Sequence, residues 1–384
     1  MEPGRPDVRT VLRAARDRLA AAGVSSPDLD AALLLAETLG VKRERLALDP
    51  ERALTGDECS RFDALVARRA ERRPMAQILG RAEFWSLEFK VTADTLSPRP
   101  ETEMLVEEAV KALRGVERPV VVDIGTGTGC IAVAIAKEVP TAVVHAVDIS
   151  PAALAVAREN VKRHGVEDRV RLHEGSRFAP LAGVLAPATV DVVVSNPPYV
   201  RRDEAFDPEL LFEPTGALFV DDVPFVYRLI AIDAAPLVRT GGRIILELPG
   251  ATAPPSVHAV LQSAHWQEGE VRPDLGGQPR MLTAARSAWA GGLHFMGGFG
   301  RFGLYQCACC GWLTFLGRSS GSRQTCGVCL WRDDYLAFIA PGDVGELNAV
   351  SLDEARRSYA SLGACEPRFV AKSRKPRFYE RFAR

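Results

Sequence analysis

Apolar positions recur at helical spacing through the first stretch of the chain. Val8, Val11, Leu12, Ala15 and Leu19 share one face, Ala31, Leu34, Leu35 and Thr38 a second, and Phe62, Leu65, Val66 and Arg69 a third. Pro27 and Thr55-Gly56-Asp57 punctuate them, so a helical unit is expected over residues 1–80. Its polar face is rich in arginine, which suits either a small solvated bundle or a docking module for a partner. The pattern then changes. Phe84, Trp85, Leu87, Phe89 and Val91 predict a hairpin or an extended linker, and Leu105, Val106, Ala109, Val110 and Leu113 one side of a helix. Short β-branched runs follow at Val120–Ile124, Ala142–Val147, Val190–Val194 and Ile244–Leu248, separated by helical stretches near 130–138, 151–164 and 224–238. Apolar strands alternating with helices predict an α/β domain over 81–286. Its sheet would be doubly wound and mostly parallel, covered on both faces, with ligands at the carboxyl ends of the strands.

Residues 287–304 hold six glycines and little periodicity, the mark of a linker. A separate segment is expected over 305–384, where Ser351-Leu352-Asp353-Glu354 fits a capping box and Gly363 the end of that helix. Composition adds little to this picture: 47% hydrophobic and 25% charged is ordinary for a globular protein. A net charge of −1 argues against a large nucleic-acid footprint. The chain has no run of 18 apolar residues, so no membrane span is expected, and its start lacks the apolar core of a signal peptide. A cytoplasmic location is the expectation. Cysteine usage changes more, because five of the eight cysteines fall between Cys307 and Cys329. Without an export signal, such clustering points to metal before disulfides.

The first predicted parallel strand runs into Asp123-Ile124-Gly125-Thr126-Gly127-Thr128-Gly129 and then an apolar helix. Glycines there allow a tight turn and close approach of a ligand to the backbone. Alone, the loop also fits a dinucleotide. Asp148 sharpens it, ending the next strand 19 residues after Gly129, where a carboxylate can accept from both hydroxyls of a ribose. By itself Asp148 also reads as a turn acid before Ser150-Pro151. Cys130 stands where a dinucleotide loop more often ends, and the Gly-x-Gly-x-Gly form followed by this acid resembles class I methyltransferases, which use S-adenosylmethionine.

Ser195-Asn196-Pro197-Pro198-Tyr199 follows a later strand. Two prolines forbid its continuation and stiffen the backbone with its carbonyls free. An Asn oxygen and a nearby proline carbonyl make a pair of acceptors that can grip an –NH2 group by both hydrogens, and the Tyr199 ring can stack on a flat amide or base. The plain alternative is a proline turn with a core tyrosine. Acceptors on both N–H bonds suit methyl transfer to a weakly nucleophilic nitrogen, since positive charge develops there.

Together these motifs resemble the release-factor N5-glutamine methyltransferases over roughly residues 8–286. The marks are Pro98-Arg99-Pro100-Glu101-Thr102-Glu103, the loop Asp123–Gly129, Val147-Asp148-Ile149-Ser150 and Asn196-Pro197-Pro198-Tyr199. Glu213-Pro214, Ala217-Leu218, Ile244–Leu248 and Asp274-Leu275, Gly277 and Arg280 extend it. The resemblance implies a Rossmann-like class I methyltransferase with an N-terminal helical domain that recognises the factor. It implies a substrate, the glutamine of the Gly-Gly-Gln motif of class 1 release factors. It implies that Gly125, Thr126, Gly127, Thr128 and Gly129 line the amino-acid and ribose portions of S-adenosylmethionine, and that Asp148 binds the ribose. Asn196, Pro197, Pro198 and Tyr199 would hold and activate the glutamine amide, with Asn196 also facing the cofactor. The chain departs from the family in three loops. Gly175-Ser176-Arg177-Phe178 lacks the usual acid near the adenine, leaving Arg177 or Phe178 to pack there; Val220-Asp221-Asp222 replaces a Gly-Gly stretch; Leu248-Pro249-Gly250 follows Glu247 where Gly and Gln are usual.

Cys307, Cys310, Cys326 and Cys329 give the spacing C-x2-C-x15-C-x2-C, which fits a closed, structural tetrahedral zinc site of the ribbon type. Reduced thiols or a redox pair remain alternatives, and Cys309 is a spare ligand. The segment resembles the bacterial cysteine-rich CPCC domain, with Ala308 in place of its proline. Two rival functions stand beside amide methylation. One is a DNA adenine-N6 methyltransferase, for which Asn-Pro-Pro-Tyr is equally suited. The other is a non-catalytic scaffold that retains the fold.

Overall fold

The computed structural model describes residues 5–201, 206–220, 222–261, 266–287, 304–306, 313–316, 349–362 and 364–370. The chain divides into two compact units, Met1–Ala288 and Trp289–Arg384.

The first unit opens with helices α1 (Val8–Ala21), α2 (Pro27–Leu39), α3 (Glu44–Leu48), α4 (Gly56–Ala70) and α5 (Met75–Leu79). Local chemistry sets their ends. Asp7 Oδ1 accepts from the Thr10 amide at 2.8 Å to start α1, and Gly40 at φ 64° ends α2. Thr55 and Glu58 cap α4 reciprocally. The three faces read from periodicity meet in one core around Leu19, Leu34, Leu35 and Phe62. The pattern does not reveal α3 and α5, because five residues are too few to display a period. Arg69 sits on the apolar face of α4, only 3% exposed, and its charge is met by Asp30 at 2.6 Å and Glu209 at 2.7 Å.

Strands β1 (Arg81–Phe84) and β2 (Leu87–Lys90) form the hairpin. Its two turn residues, Trp85 and Ser86, have φ of 55° and 56°, as a type I′ turn requires. Glu103 accepts from the Trp85 amide at 2.7 Å, and Glu138 from its indole at 2.8 Å, which holds this unfavourable geometry.

The sheet beyond comprises β3 (Val120–Ile124), β4 (Val143–Asp148), β5 (Val170–Glu174), β6 (Val190–Ser195), β7 (Val238–Glu247), β8 (Trp266–Pro273) and β9 (Pro279–Arg286). Its order is β5-β4-β3-β6-β7-β9-β8; β3 to β7 pair in parallel, and β9 is antiparallel to both neighbours. Helices α6 (Glu103–Ala112), α7 (Cys130–Glu138) and α8 (Pro151–Arg163) follow the chain before β5, and α9 (Thr215–Leu218), α10 (Val223–Ala234) and α11 (Pro254–Leu261) come after β6. Alternation along the strands feeds two cores: Val121, Val192 and Val194 pack with α6 and α7, while Val122, Val193 and Ile244 pack with α10. Gly242 is required where β7 meets β6, because a Cβ there would lie 2.9 Å from the Asp191 carbonyl.

One boundary differs from expectation. The helix expected over 224–238 stops at Ala234, and β7 begins at Val238. Pro236 cannot continue the helix, and the residues around it bond instead to the β6 side, with Val190 donating to Leu237 at 2.9 Å. Strands β8 and β9 escaped the pattern; β8 is a charged edge strand exposed along most of its length.

In the second unit, β10 (Leu304–Gln306) pairs antiparallel with β11 (Leu313–Leu316), and α12 (Leu352–Leu362) carries the expected capping box between Ser351 and Glu354. Gly363, Cys307, Cys310, Cys326 and Cys329 lie outside the described residues, as does nearly all of the 287–304 segment. Among the described residues no helix is long and apolar enough to cross a membrane.

One pair on the sheet is sensitive to acid. His145 on β4 and His173 on β5 stack at 5.1 Å and share a 3.0 Å hydrogen bond. Burial, the neighbouring His173 and Arg171 push His145 down to about 4, against 6.5 for the free group. The unfolded chain therefore takes up a proton between pH 6.5 and 4 that the folded chain refuses. The neutral pair destabilises nothing above that window. Below pH 6.5 stability is lost by up to about 1.4 kcal/mol per pH unit for His145. Urea unfolding of the protein and of His145→Val should converge or cross as pH falls from 6.5 to 4; parallel pH dependences would exclude the pair as the cause.

Candidate active site

The carboxyl ends of β3, β4, β6 and β7 lie side by side, and each delivers one functional element. After β3 the chain turns through Gly125, Gly127 and Gly129 at φ 76°, 55° and 80°. Such angles leave little alternative to glycine at these alternate positions. The amides of Gly125 and Thr126 donate to the Val147 carbonyl at 2.8 and 3.0 Å, tying the loop to β4. Asp148 then accepts from the Gly127 amide through Oδ2 and from the Ser150 amide through Oδ1, each at 2.9 Å. Every carboxylate oxygen carries two lone pairs, so both retain capacity for a diol. Asp148 thus shapes the loop and lines the cleft at once.

The residues between the glycines point inward. Thr126 and Thr128 are 4% and 2% exposed, and Thr126 Oγ1 donates to Asp123 Oδ2 at 2.6 Å. A Cβ on Gly129 would lie 3.4 Å from Ala157 Cβ, so that glycine permits close packing of α7 on α8. Asp123 is fully buried with Oδ1 unpartnered among the described residues, and burial pushes its carboxyl up to about 7, with Asp148 adding to the rise. Asn160, fully buried, donates to the Thr128 carbonyl and the Lys90 carbonyl and accepts from the Lys90 amide, so the hairpin braces the loop from behind.

A cleft of about 490 Å³ opens above these strand ends. Gly125, Gly127, Asp148, Arg177, Asn196, Pro197 and Pro198 all line it, together with Ile149, whose apolar side chain is 70% exposed. The volume is that of a small-molecule site. Polar acceptors, a closely approachable glycine backbone and an apolar platform fit a nucleoside carrying a charged amino-acid arm. Among the residues expected along the ligand, Thr126 and Thr128 turn their side chains inward and Gly129 packs against α8, outside the lining of this cleft. Phe178 belongs to the second core, while Arg177, at φ 49°, is anchored by Asp233 on α10 at 2.9 Å.

A second cavity of about 80 Å³ adjoins the first, sharing Leu96, Asn196, Pro197, Pro198 and Ala217 and adding Arg99 and Tyr199. Ser195 Oγ donates to the Ile124 carbonyl at 2.7 Å, locking β6 to β3 just before Asn196. Tyr199 donates through its hydroxyl to Glu247 Oε1 at 3.1 Å. Burial and the adjacent Glu247 charge push the Tyr199 phenol above its ordinary range, so it remains a donor. Thr102 Oγ1 donates to Glu247 Oε2 at 2.6 Å, and Asn196 Nδ2 to Thr102 Oγ1 at 3.4 Å. Reading the sequence missed Glu247 and Thr102 as site residues. The available signals were an acid at the carboxyl end of a predicted strand and the Pro-Arg-Pro-Glu-Thr-Glu segment, which had family specificity but no assigned chemistry.

A seven-stranded sheet in this order, with a glycine loop after its first parallel strand and an acid at the end of its second, is the fold of a class I S-adenosylmethionine-dependent methyltransferase. Residues 10–80 match the family described as PrmC N-terminal domain, 100–211 the methyltransferase small domain, and 305–380 the cysteine-rich CPCC family. A release factor glutamine methyltransferase of Cereibacter sphaeroides is 43% identical over 277 residues, 71% of this chain and 96% of that protein. Those of Deinococcus radiodurans and Mycolicibacterium smegmatis are 40% and 39% identical, covering 73% of this chain each and 99% and 98% of theirs. The chain belongs to the release factor glutamine methyltransferase family.

Because Asp148 both holds Gly127 and faces the cleft, Asp148→Ala should weaken S-adenosylmethionine binding by about 100-fold or more, the loss of two charge-assisted hydrogen bonds. Isothermal titration calorimetry measures it. An unchanged dissociation constant would remove Asp148 from the cofactor site.

Proposed function

We propose that this chain transfers the methyl group of S-adenosylmethionine to the side-chain amide nitrogen, N5, of the glutamine in the Gly-Gly-Gln motif of a class 1 peptide chain release factor. The observation that carries the reading is the orientation of Asn196: its amide nitrogen is engaged by Thr102, so its oxygen is the end left for the cleft. When bound, the cofactor supplies an electrophilic methyl on a sulfonium. The glutamine nitrogen is held by Asn196 Oδ1 and the Pro197 carbonyl, each accepting one N–H. Together they draw density toward the nitrogen and aim it along the line of displacement. Pro198 keeps the backbone rigid, and Tyr199 closes the small cavity over the planar amide. Once the methyl is transferred, the nitrogen is acidic and its extra proton leaves to water, so no strong base is needed.

In this reading residues 1–80 recognise the factor, 81–286 carry the chemistry, 287–304 link, and 305–384 form a cysteine-rich accessory domain. Arg177 and Ile149 flank the adenine. The reaction belongs in the cytoplasm, where release factors act, without direct nucleic-acid binding. Labelled methyl transfer to a release factor, and to the same factor with its Gly-Gly-Gln glutamine changed to alanine, tests the reading. Label on the first alone is expected, and Asn196→Ala should lower the rate by about 100- to 1000-fold with the fold intact. Label on DNA adenine in its place would favour the rival chemistry. Bound cofactor without transfer to any substrate would favour a scaffold.

For the accessory domain we propose a structural zinc held by Cys307, Cys310, Cys326 and Cys329. Four thiolates in two C-x2-C pairs are the donor set of a closed tetrahedral site. Elemental analysis should return one zinc per chain, lost with Cys326→Ser; a metal-free protein with unchanged stability in chelator would contradict it.

A further inference from the structure

Asparagine has a weakness as an acceptor of substrate N–H bonds. Its carboxamide is nearly symmetric in shape, and a half-turn about its last bond replaces the oxygen with an –NH2 group. Presented to a glutamine amide, that reversed group sets donors against donors and undoes the grip. An enzyme that relies on one asparagine oxygen therefore needs something that admits only one orientation.

Proton counting around Glu247 shows what does so here. Glu247 is 1% exposed and Thr102 3% exposed. Oε2 of the carboxylate accepts the single hydroxyl proton of Thr102 at 2.6 Å, and Oε1 accepts that of Tyr199 at 3.1 Å. A carboxylate has no proton to return. Thr102 can then show Asn196 only a lone pair, and the end of the carboxamide that meets a lone pair is Nδ2, found 3.4 Å away. Tyr227 donates to the Glu247 carbonyl at 2.5 Å, which fixes the backbone from which the carboxylate projects. Thr102 ends the 3-10 turn Pro100–Thr102 and Glu247 ends β7, so neither can follow Asn196 if it rotates. Resting on the amide-methylation reading above, we infer that Thr102 and Glu247 are positioning residues that hold the Asn196 carboxamide with its oxygen toward the substrate nitrogen.

The relay has a direction and can be reversed. A protonated Glu247 would donate to Thr102, free the threonine proton to point at Asn196, and favour the reversed carboxamide. Burial raises the Glu247 carboxyl, the hydrogen bonds from Thr102 and Tyr199 and the charge of Arg280 lower it, and Glu101 raises it; Tyr227 is the remaining titratable group beside it. Activity therefore falls on the acid side as Glu247 takes up its proton.

Three variants test the relay in the full-length chain, with kcat for methylation of the release factor and the cofactor dissociation constant measured for each. Thr102→Val keeps the shape and loses the hydroxyl. It should lower kcat by about 100-fold, as a displaced reacting group does, with cofactor affinity unchanged. Thr102→Ser should restore kcat, since the relay needs only the hydroxyl. Glu247→Gln carries no titrating proton, so whichever way its carboxamide sits its kcat should lose the acid limb of the pH profile. Wild-type kcat in Thr102→Val or an acid limb retained in Glu247→Gln would overturn the inference, as would failure of Thr102→Ser to restore kcat. If Thr102→Val fails to bind cofactor, Thr102→Ser and Glu247→Gln decide the matter. An unsubstituted chain inactive on the release factor would overturn the functional reading and this one together; an active unsubstituted chain with unimpaired variants would overturn this one alone.

Discussion

Glu247 places a carboxylate where water does not reach, and the arrangement of the site follows from how that charge is satisfied. Burying a carboxylate without partners costs several kcal/mol, so the surrounding elements must bring donors to it. Thr102 comes from the turn before α6 and Tyr199 from the segment after β6, while Tyr227 from α10 holds the backbone carbonyl of the same residue. Three stretches far apart in sequence thus converge on the end of β7. The same contacts that satisfy the charge fix the side chains nearest to Asn196. Stability and chemistry depend here on one set of protons.

The parallel sheet makes that convergence possible. Adjacent strands β4, β3, β6 and β7 end at one edge, so Asp148, the glycine loop, Asn196 and Glu247 stand in a row in the order of the strands rather than of the chain. The turn in chain order falls between β3 and β6, where the sheet reverses its direction of growth and a crevice must open. Asp148 then links shape to ligand: by accepting from Gly127 and Ser150 it holds the loop that the cofactor would meet. Support for the site extends outward in the same way. Glu213 accepts from the Ser97 amide and from Arg99, tying the loop after Asn196 to the proline-rich segment. Arg69 and Arg72 of α4 and beyond reach Glu209 and Asp207 in that loop, joining the helical domain to the wall of the site.

Much of this is legible in the sequence. The valine runs of β3, β4 and β6 are buried on both faces and therefore lack alternation, which is the signature of a parallel sheet; β8, charged and at the edge, has no such signature. Asn196 and Asp148 stood out because their neighbours, prolines and glycines, are chemically restrictive. Thr102 and Glu247 did not, because a buried hydroxyl and a buried acid look like surface residues in a sequence. Their meaning lies in a contact across 145 positions. The inward turn of Thr126 and Thr128 is not visible in a motif, which names positions and not side-chain directions. Arg69 shows the reverse case: its place on an apolar helical face was plain, but its partner Glu209 lies in another domain.

The central claim is that the oxygen of Asn196, held in place from behind, accepts from the glutamine nitrogen that receives the methyl group. A crystal structure of the chain with S-adenosylhomocysteine and a Gly-Gly-Gln peptide tests it most directly. The account predicts the glutamine side-chain nitrogen within hydrogen-bonding distance of Asn196 Oδ1 and the Pro197 carbonyl, with Asn196 Nδ2 still on Thr102. A glutamine bound elsewhere, or an Asn196 carboxamide turned with its nitrogen toward the substrate, would contradict it.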